Sequence, residues 1–320
     1  MMRAVRIEEP GAVRLVKHPR PQPPDGEVTV RVCWAAVCAT DRKLARRGLP
    51  EPRIPGHEFS GVLSDGTPVA VHPDIGCGVC SRCRTGWSNR CARRQSIGID
   101  RDGGFAEEVA VPVGQVVPVE GLPLELAALL EPLACCVHAV AMLHTERLRT
   151  AAVVGAGAMG VLAMWTLQAN GVRVIVSQRS AERRRMAEAL GADMVIDHHD
   201  LSALGAPIDA VIVTAPGTEA LHWALEHVAV GGIVHTFAGT PGGARVDVNT
   251  VHYRHLTLVG STGSTPADLR LALELVRGQH IDLARLPRET VGLDDLPRLL
   301  LAEPDRSRLR TLVAIGGTPP

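Results

Sequence analysis

Short alternating apolar runs mark roughly the first 130 residues, at the two-residue period of a half-buried strand. Val28-Thr29-Val30-Arg31-Val32 is one such run, and Val69-Ala70-Val71 is a second. Pro and Gly interrupt these runs often, so this part of the chain reads as an irregular β-rich domain.

The pattern changes near Leu133. Ala151-Ala152-Val153-Val154 is a continuous apolar run of the kind a strand shows when both its faces are buried. Residues Ala158 to Ala169 follow with helical periodicity, and Val172 to Ser177 form a second strand-like run. Ala181 to Leu190 read as a second helix, closed by Gly191. Ile208 to Thr214 predict a further strand, followed by a helix through Val228 and another strand from Gly232 to Ala238. Leu256 to Val259 predict a last strand, before a helix from Pro266 to Val276. Strands alternating with helices of this length imply a parallel sheet built from crossover connections. The tail from about Gly263 leaves the alternation and is expected to return to the first domain.

Composition narrows the function. The chain has 320 residues, enough for two modest domains. Its 34 basic residues balance 34 acidic ones, so no strong positive field exists to hold nucleic acid or an anionic membrane. The N-terminus lacks the apolar run of a signal peptide, and no apolar stretch approaches the roughly 20 residues that span a bilayer. A cytoplasmic setting is expected, where thiols stay reduced. With only 3 Phe, 1 Tyr and 4 Trp, a substrate pocket of stacked rings is disfavoured and a small polar substrate fits better.

Four cysteines carry the strongest local signal. Cys77, Cys80, Cys83 and Cys91 are spaced C-x2-C-x2-C-x7-C, which lets four thiolates wrap one tetrahedral ion, and zinc is the usual occupant. Gly76, Gly78 and Gly86 are expected to make the turns of this lobe, at about residues 76–92. With all four positions filled by protein, such a site is closed and structural. Two disulfides, buried free thiols or an iron–sulfur cluster are the alternatives.

Three separated pieces could build a second, open site. Cys38-Ala39-Thr40-Asp41, Gly56-His57-Glu58 and Glu131-Pro132-Leu133 offer a thiolate, an imidazole and a carboxylate, a set that leaves a metal one position for water or substrate. Each piece alone has a plainer reading, core packing for the cysteine and a surface turn for the His-Glu pair.

Gly155-Ala156-Gly157-Ala158-Met159-Gly160 is G-x-G-x-x-G, placed after one predicted strand and opening a predicted helix. In that context Gly155 makes the turn, Gly157 lets a pyrophosphate approach the backbone, and Gly160 lets helix and strand pack closely. The helix N-terminus offers N–H groups and a positive dipole end to the phosphates. The second strand ends Ser177-Gln178-Arg179-Ser180, with Arg183 and Arg184 close behind and no acid at the position that usually binds the ribose 2′-hydroxyl of NAD. Arg179, helped by Arg183 and Ser177, could instead pair with a 2′-phosphate. The expected cofactor is NADP(H) in preference to NAD(H). In the plainer reading, these arginines form a solvated helix face.

The Cys-x-Thr-Asp of Cys38 to Asp41, the Gly-His-Glu of Gly56 to Glu58 with Gly61 following, the cysteine lobe and the glycine motif together resemble the zinc-dependent branch of the medium-chain dehydrogenase/reductase family. The resemblance runs from about Ala4 to Leu301, and Glu131-Pro132-Leu133-Ala134 resembles the sorbitol and threonine dehydrogenase side of the family. It implies an α/β fold with a doubly wound Rossmann domain of parallel sheet at 133–262. A β-rich, GroES-like catalytic domain would cover 1–132 and regain the chain over 263–320. Carried over by position, Cys38 and His57 would bind a catalytic zinc, with Glu58 or Glu131 supplying the carboxylate and Asp41 orienting His57. Thr40 would hydrogen-bond the substrate oxygen. Cys77, Cys80, Cys83 and Cys91 would hold a second zinc, two ions per chain. Gly155, Gly157, Met159, Gly160, Ser177, Arg179 and Arg183 would contact the cofactor.

The implied reaction moves a hydride between a secondary alcohol of polyol or amino-polyol type and NADP(H), in a homodimer or homotetramer. The alternatives are an NAD-linked threonine-type dehydrogenase and a non-catalytic, zinc-stabilised nucleotide-binding protein. Three departures from the family pattern stand out. Lys43 replaces a common relay histidine, the stretch from Gly61 to Val69 is short, and His255 stands where relatives often carry an acid. Cys33, Cys135 and Cys136 read as small buried residues, the last two near Glu131.

Overall fold

Strand Glu27–Ala36 organises the first of two units in the computed structural model, whose described residues are 1–199, 207–305 and 307–316. Its N-terminal half pairs antiparallel with Glu108–Pro112, and its C-terminal half pairs antiparallel with Arg310–Ala314. Along its other edge lies Glu58–Val62, followed by Pro68–Val71 and Val116–Pro118. Arg288–Gly292 completes a seven-stranded sheet by pairing parallel with Arg310–Ala314. The alternation read at Val28 to Val32 is real: Val30 and Val32 are buried while Arg31 is exposed. Phe59 and Phe105, two of the three phenylalanines, are fully buried in the core beneath this sheet. The register slips between Val32 and Trp34, a bulge opposite Gly61 and Ser60.

This unit comprises Met1–Ala134, Ser264–Arg277 and the chain from Leu286 onward. Most of the tail therefore lies with the first part of the chain, but Gly278–Arg285 belongs to the second unit. Residues 306 and 317–320 of that tail lie outside the described residues.

The second unit, Cys135–Gly263 with Gly278–Arg285, contains a six-stranded sheet in which every pairing is parallel. Across the sheet the strands run Met194–Ile196, Arg173–Ser177, Thr150–Val154, Ile208–Val213, Val228–Thr236 and Thr257–Gly260. The chain moves outward from Thr150–Val154 in one direction, then restarts on its other side, the doubly wound pattern. All five residues of Thr150–Val154 are buried, as its uninterrupted apolar run requires for a central parallel strand. Helix Ala158–Ala169 has the bounds its periodicity predicts. Boundaries shift elsewhere: the helix expected to reach Val228 is Thr218–His227, and the next strand begins at Val228 rather than Gly232. Helices Ala39–Arg47 and Val248–Tyr253 and strand Met194–Ile196 have too few apolar positions to announce themselves by period.

The turn after Thr150–Val154 shows why its glycines are needed. Gly155 has φ of 106°, in the left-handed region that favours glycine. A Cβ on Gly160 would lie 1.9 Å from the Gly155 carbonyl oxygen, inside any possible contact. Replacing Gly160 with alanine therefore has to push the helix off the strand. Gly160→Ala is expected to lower stability by about 3 kcal/mol or more, the upper range for overpacking, and to lower the midpoint of a chemical or thermal melt accordingly.

Candidate functional site

Cys38 caps helix Ala39–Arg47, and the cap explains the four-residue motif. The Cys38 backbone N–H donates to Asp41 Oδ2 at 2.8 Å, closing the first helical turn. The other oxygen, Asp41 Oδ1, lies 3.3 Å from His57 Nδ1. The Nδ1 side of the imidazole is thereby turned to Asp41, and Nε2 is the nitrogen left for a ligand. His57 precedes strand Glu58–Val62, whose first residue, Glu58, is in register with Ala36 on the strand leading to Cys38. One ligand atom from each of Cys38, His57 and Glu58 falls within 4.8 Å of the other two. Thr40 is half-buried in the first turn of the Cys38-capped helix.

This group is buried and charged. Asp41, His57, Glu58 and Glu131 are each at most 7% exposed, so water cannot screen them. Burial opposes charge on His57, but the facing Asp41 and Cys38 outweigh it and hold the imidazole well above its usual range. Glu58 Oε1 accepts from Arg310 Nη1 at 3.0 Å, and Arg310 also donates to the Val37 carbonyl at 3.3 Å. Burial opposes the charge on Arg310, yet Glu58, Cys38 and Glu131 raise its pKa, so it stays protonated.

Glu131 lies in the first turn of helix Leu130–Ala141, near enough to support Arg310 electrostatically, but it is not in the three-atom group. Glu58, one of the two carboxylates considered from the sequence, is brought against Cys38 and His57. Arg310 carried no sequence signal, because its partners lie more than 250 positions away.

Glu58 Oε2 is buried without a hydrogen-bond partner among the described residues. A carboxylate oxygen in that state beside a thiol and an imidazole suits a divalent cation.

The cysteine lobe is also preformed. All four thiols are free, and their Sγ atoms are 3.5 Å apart for Cys80 and Cys83, 3.9 Å for Cys80 and Cys91, and 4.0 Å for Cys77 and Cys83. Zn–S bonds of about 2.3 Å imply sulfur separations of about 3.8 Å around a tetrahedron, so the set fits zinc. A disulfide, at about 2.05 Å, is not formed by any of these pairs. Backbone N–H groups of Val79 and Cys80 pull the Cys77 thiol down to about 5, whereas burial pushes Cys83 up to about 11.

Gly76 is not a turn glycine like Gly78 and Gly86, whose φ values are positive. Its hydrogen makes room for the Cys83 sulfur, since a Cβ there would sit 2.8 Å from Sγ. The lobe is anchored through Asp74, which accepts from Arg94 Nη1 at 3.0 Å and from the Ser96 hydroxyl.

A cleft of about 250 Å³ opens where the parallel sheet changes winding direction, lined by Val154, Gly155, Ser177, Arg179, Ala215 and Glu219 among others. Gly157 caps helix Ala158–Ala169, and Met159 is half-buried in its first turn. The residues expected to hold a 2′-phosphate are already engaged. The Ser177 hydroxyl is buried 3.1 Å from His198 Nδ1, Arg179 pairs with Glu219, and Arg183 Nη1 donates to the Ala156 carbonyl at 3.1 Å. Arg183 thus lies against the glycine turn, and a Cβ on Gly157 would be in ordinary contact with its Nη1 at 3.5 Å. Glu219 and His198 were not found by reading the strand end, since both arrive from later segments.

Lys43 is exposed. His255 is exposed with φ of 53°. Cys136 is buried, but Cys33 and Cys135 are only half-buried.

Removing Arg310 would strand the buried Glu58 carboxylate. Arg310→Met is expected to destabilise the protein by about 3–5 kcal/mol in denaturant unfolding of the metal-free chain. The double change Arg310→Met with Glu58→Gln should recover much of the loss, because it removes both charges.

The chain as a whole is similar to known proteins. The family model for the alcohol dehydrogenase GroES-like domain matches residues 24–121, and that for zinc-binding dehydrogenases matches residues 158–278. L-threonine 3-dehydrogenase of Pyrococcus horikoshii is 30% identical over 82% of this chain and 83% of its own length. L-galactonate-5-dehydrogenase of Escherichia coli strain K12 is 29% identical over 78% of this chain and 79% of its own. A crystal structure of a zinc-binding dehydrogenase from Sinorhizobium meliloti 1021 bound to NADP is 30% identical, with a TM-score of 0.91 over 98% of this chain and 99% of that one. The chain belongs to the zinc-dependent medium-chain dehydrogenase/reductase family and is an alcohol dehydrogenase of that family.

Proposed function

We propose that the enzyme transfers a hydride between a small secondary alcohol of polyol or amino-polyol type and NADP(H), with a catalytic zinc at Cys38, His57 and Glu58. The convergence of those three ligand atoms within 4.8 Å, from segments that meet only through the sheet, carries this reading. A zinc ion there supplies Lewis acidity, lowering the pKa of a hydroxyl near it.

The chain's own residues do the rest. Asp41 holds the imidazole with Nδ1 toward itself, and Thr40 receives a hydrogen bond from the substrate hydroxyl and begins the proton's exit. Arg310 keeps Glu58 in place and balances its buried charge. Cys77, Cys80, Cys83 and Cys91 hold a second, structural zinc, for two ions per chain. A cytoplasmic setting suits a lobe of four free thiols.

The polyol reading draws on the galactonate dehydrogenase relative, and a threonine-type activity is favoured instead by the similarly close threonine dehydrogenase. NADP(H) is supported by the lack of an acid ending strand Arg173–Ser177 and by Arg179 in the cleft. A homodimer or homotetramer is proposed, with strand Thr257–Gly260 as its contact. This strand is the sheet's edge and exposes Leu258, which a second copy would cover.

Two experiments test the proposal. In the first, wild-type protein should carry about two zinc ions by elemental analysis and Cys38→Ala about one. Cys38→Ala should also lose more than about a hundredfold in alcohol oxidation, since loss of even an outer partner of a metal ligand costs up to that much. Undiminished oxidation by Cys38→Ala would refute the zinc assignment. In the second, a screen of polyols, aminocyclitols and hydroxy amino acids with each cofactor should give higher kcat/KM with NADP and a polyol. Preference for NAD and threonine would establish the alternative.

A further inference from the structure

The cleft at the winding switch contains an ion pair whose acidic half comes from an unexpected direction. Arg179 Nη1 lies 2.8 Å from Glu219 Oε2. Glu219 is in the first turn of helix Thr218–His227, which follows the fourth strand in chain order, Ile208–Val213. It therefore places a carboxylate in the same cleft that the end of strand Arg173–Ser177 leaves without one. The other Glu219 oxygen faces His198 Nε2 and His199 Nε2, each at 3.9 Å. His198 is held from behind: its Nδ1 is 3.1 Å from the Ser177 hydroxyl and its ring stacks on Trp223 at 5.5 Å. Burial keeps the His198 pKa low, so this ring brings no counter-charge of its own at neutral pH. Arg179 is then the closest cation to Glu219 in the cleft.

We propose that Glu219 is a specificity-determining residue for the cofactor, acting through Arg179. A 2′-phosphate has to displace the Glu219 carboxylate before it can take Arg179, and it meets that carboxylate's repulsion as it approaches. A 2′-hydroxyl meets an acceptor already in place. Arg179 and Glu219 side chains are 64% and 54% exposed, so their pairing is weak and the exchange is within reach of a phosphate. Discrimination between the two cofactors is thus held to a modest ratio, and Glu219 is the group that lowers it. The inference rests on the proposed NADP(H) reading, with the cleft around Arg179 receiving the adenosine ribose.

The test uses the full chain and two probes, 5′-AMP and 2′,5′-ADP, titrated calorimetrically so that alcohol oxidation is not involved. Glu219→Gln should shift the ratio of the two affinities roughly fivefold toward 2′,5′-ADP, the scale of one exposed ion pair. Arg179→Gln should shift it the other way, and adding Glu219→Gln to Arg179→Gln should give a smaller gain than Glu219→Gln alone, because only the direct repulsion is then left to remove. A purely structural role for Glu219 would weaken both probes together and leave the ratio alone. An unchanged ratio in Glu219→Gln, with both probes bound, overturns the inference and leaves the cofactor assignment standing. If neither probe binds the wild-type protein, the assignment of the cleft falls and this inference with it.

Discussion

Asp41 has no exposed surface, and its two carboxylate oxygens serve two different segments. One oxygen closes the helix cap at Cys38 and the other faces His57 across the sheet. A buried carboxylate is expensive to leave unmatched, so the pairing joins secondary structure and site into one arrangement. The thiol points where it does because the helix starts there, and the helix starts there because the same acid that orients the imidazole satisfies its first backbone donor.

The buried charges around this point explain why the end of the chain has to return to the first unit. Asp41, Glu58 and Glu131 bring three carboxylates into a region with little access to water. Arg310 on strand Arg310–Ala314 supplies the fixed positive charge, reaching Glu58 directly and lying within electrostatic range of Glu131. Negative groups still outnumber it, and Glu58 Oε2 has no hydrogen-bond partner among the described residues, so the proposed zinc would supply the charge still to be matched. The cysteine lobe meets the same requirement differently, with four sulfurs already at the spacing of a tetrahedron and no position for substrate.

The second unit uses backbone geometry more than charge. Its cleft lies where doubly wound sheets bind ligands, and the turn beside it depends on Gly155, with its positive φ, and on Gly160, where a Cβ has no room. The scarcity of aromatic residues is consistent with this division. Phe59 and Phe105 are spent in the core of the first unit, while Trp165 and Trp223 are buried on helices of the second.

From the sequence alone, whatever depends on near neighbours could be read. The C-x2-C-x2-C-x7-C lobe, the glycine turn and the periodicity of Ala158–Ala169 are local patterns, and their physics is complete within about twenty residues. The short polar helix Ala39–Arg47 escaped because it has few apolar positions to repeat. Tertiary structure decided the rest: that Glu58 comes up against Cys38 and His57, that Arg310 pairs with Glu58, and that Glu219 occupies Arg179. Each of these is an electrostatic contact between segments remote in the chain. A charge finds its partner by position in space, and only the folded sheets bring those positions together.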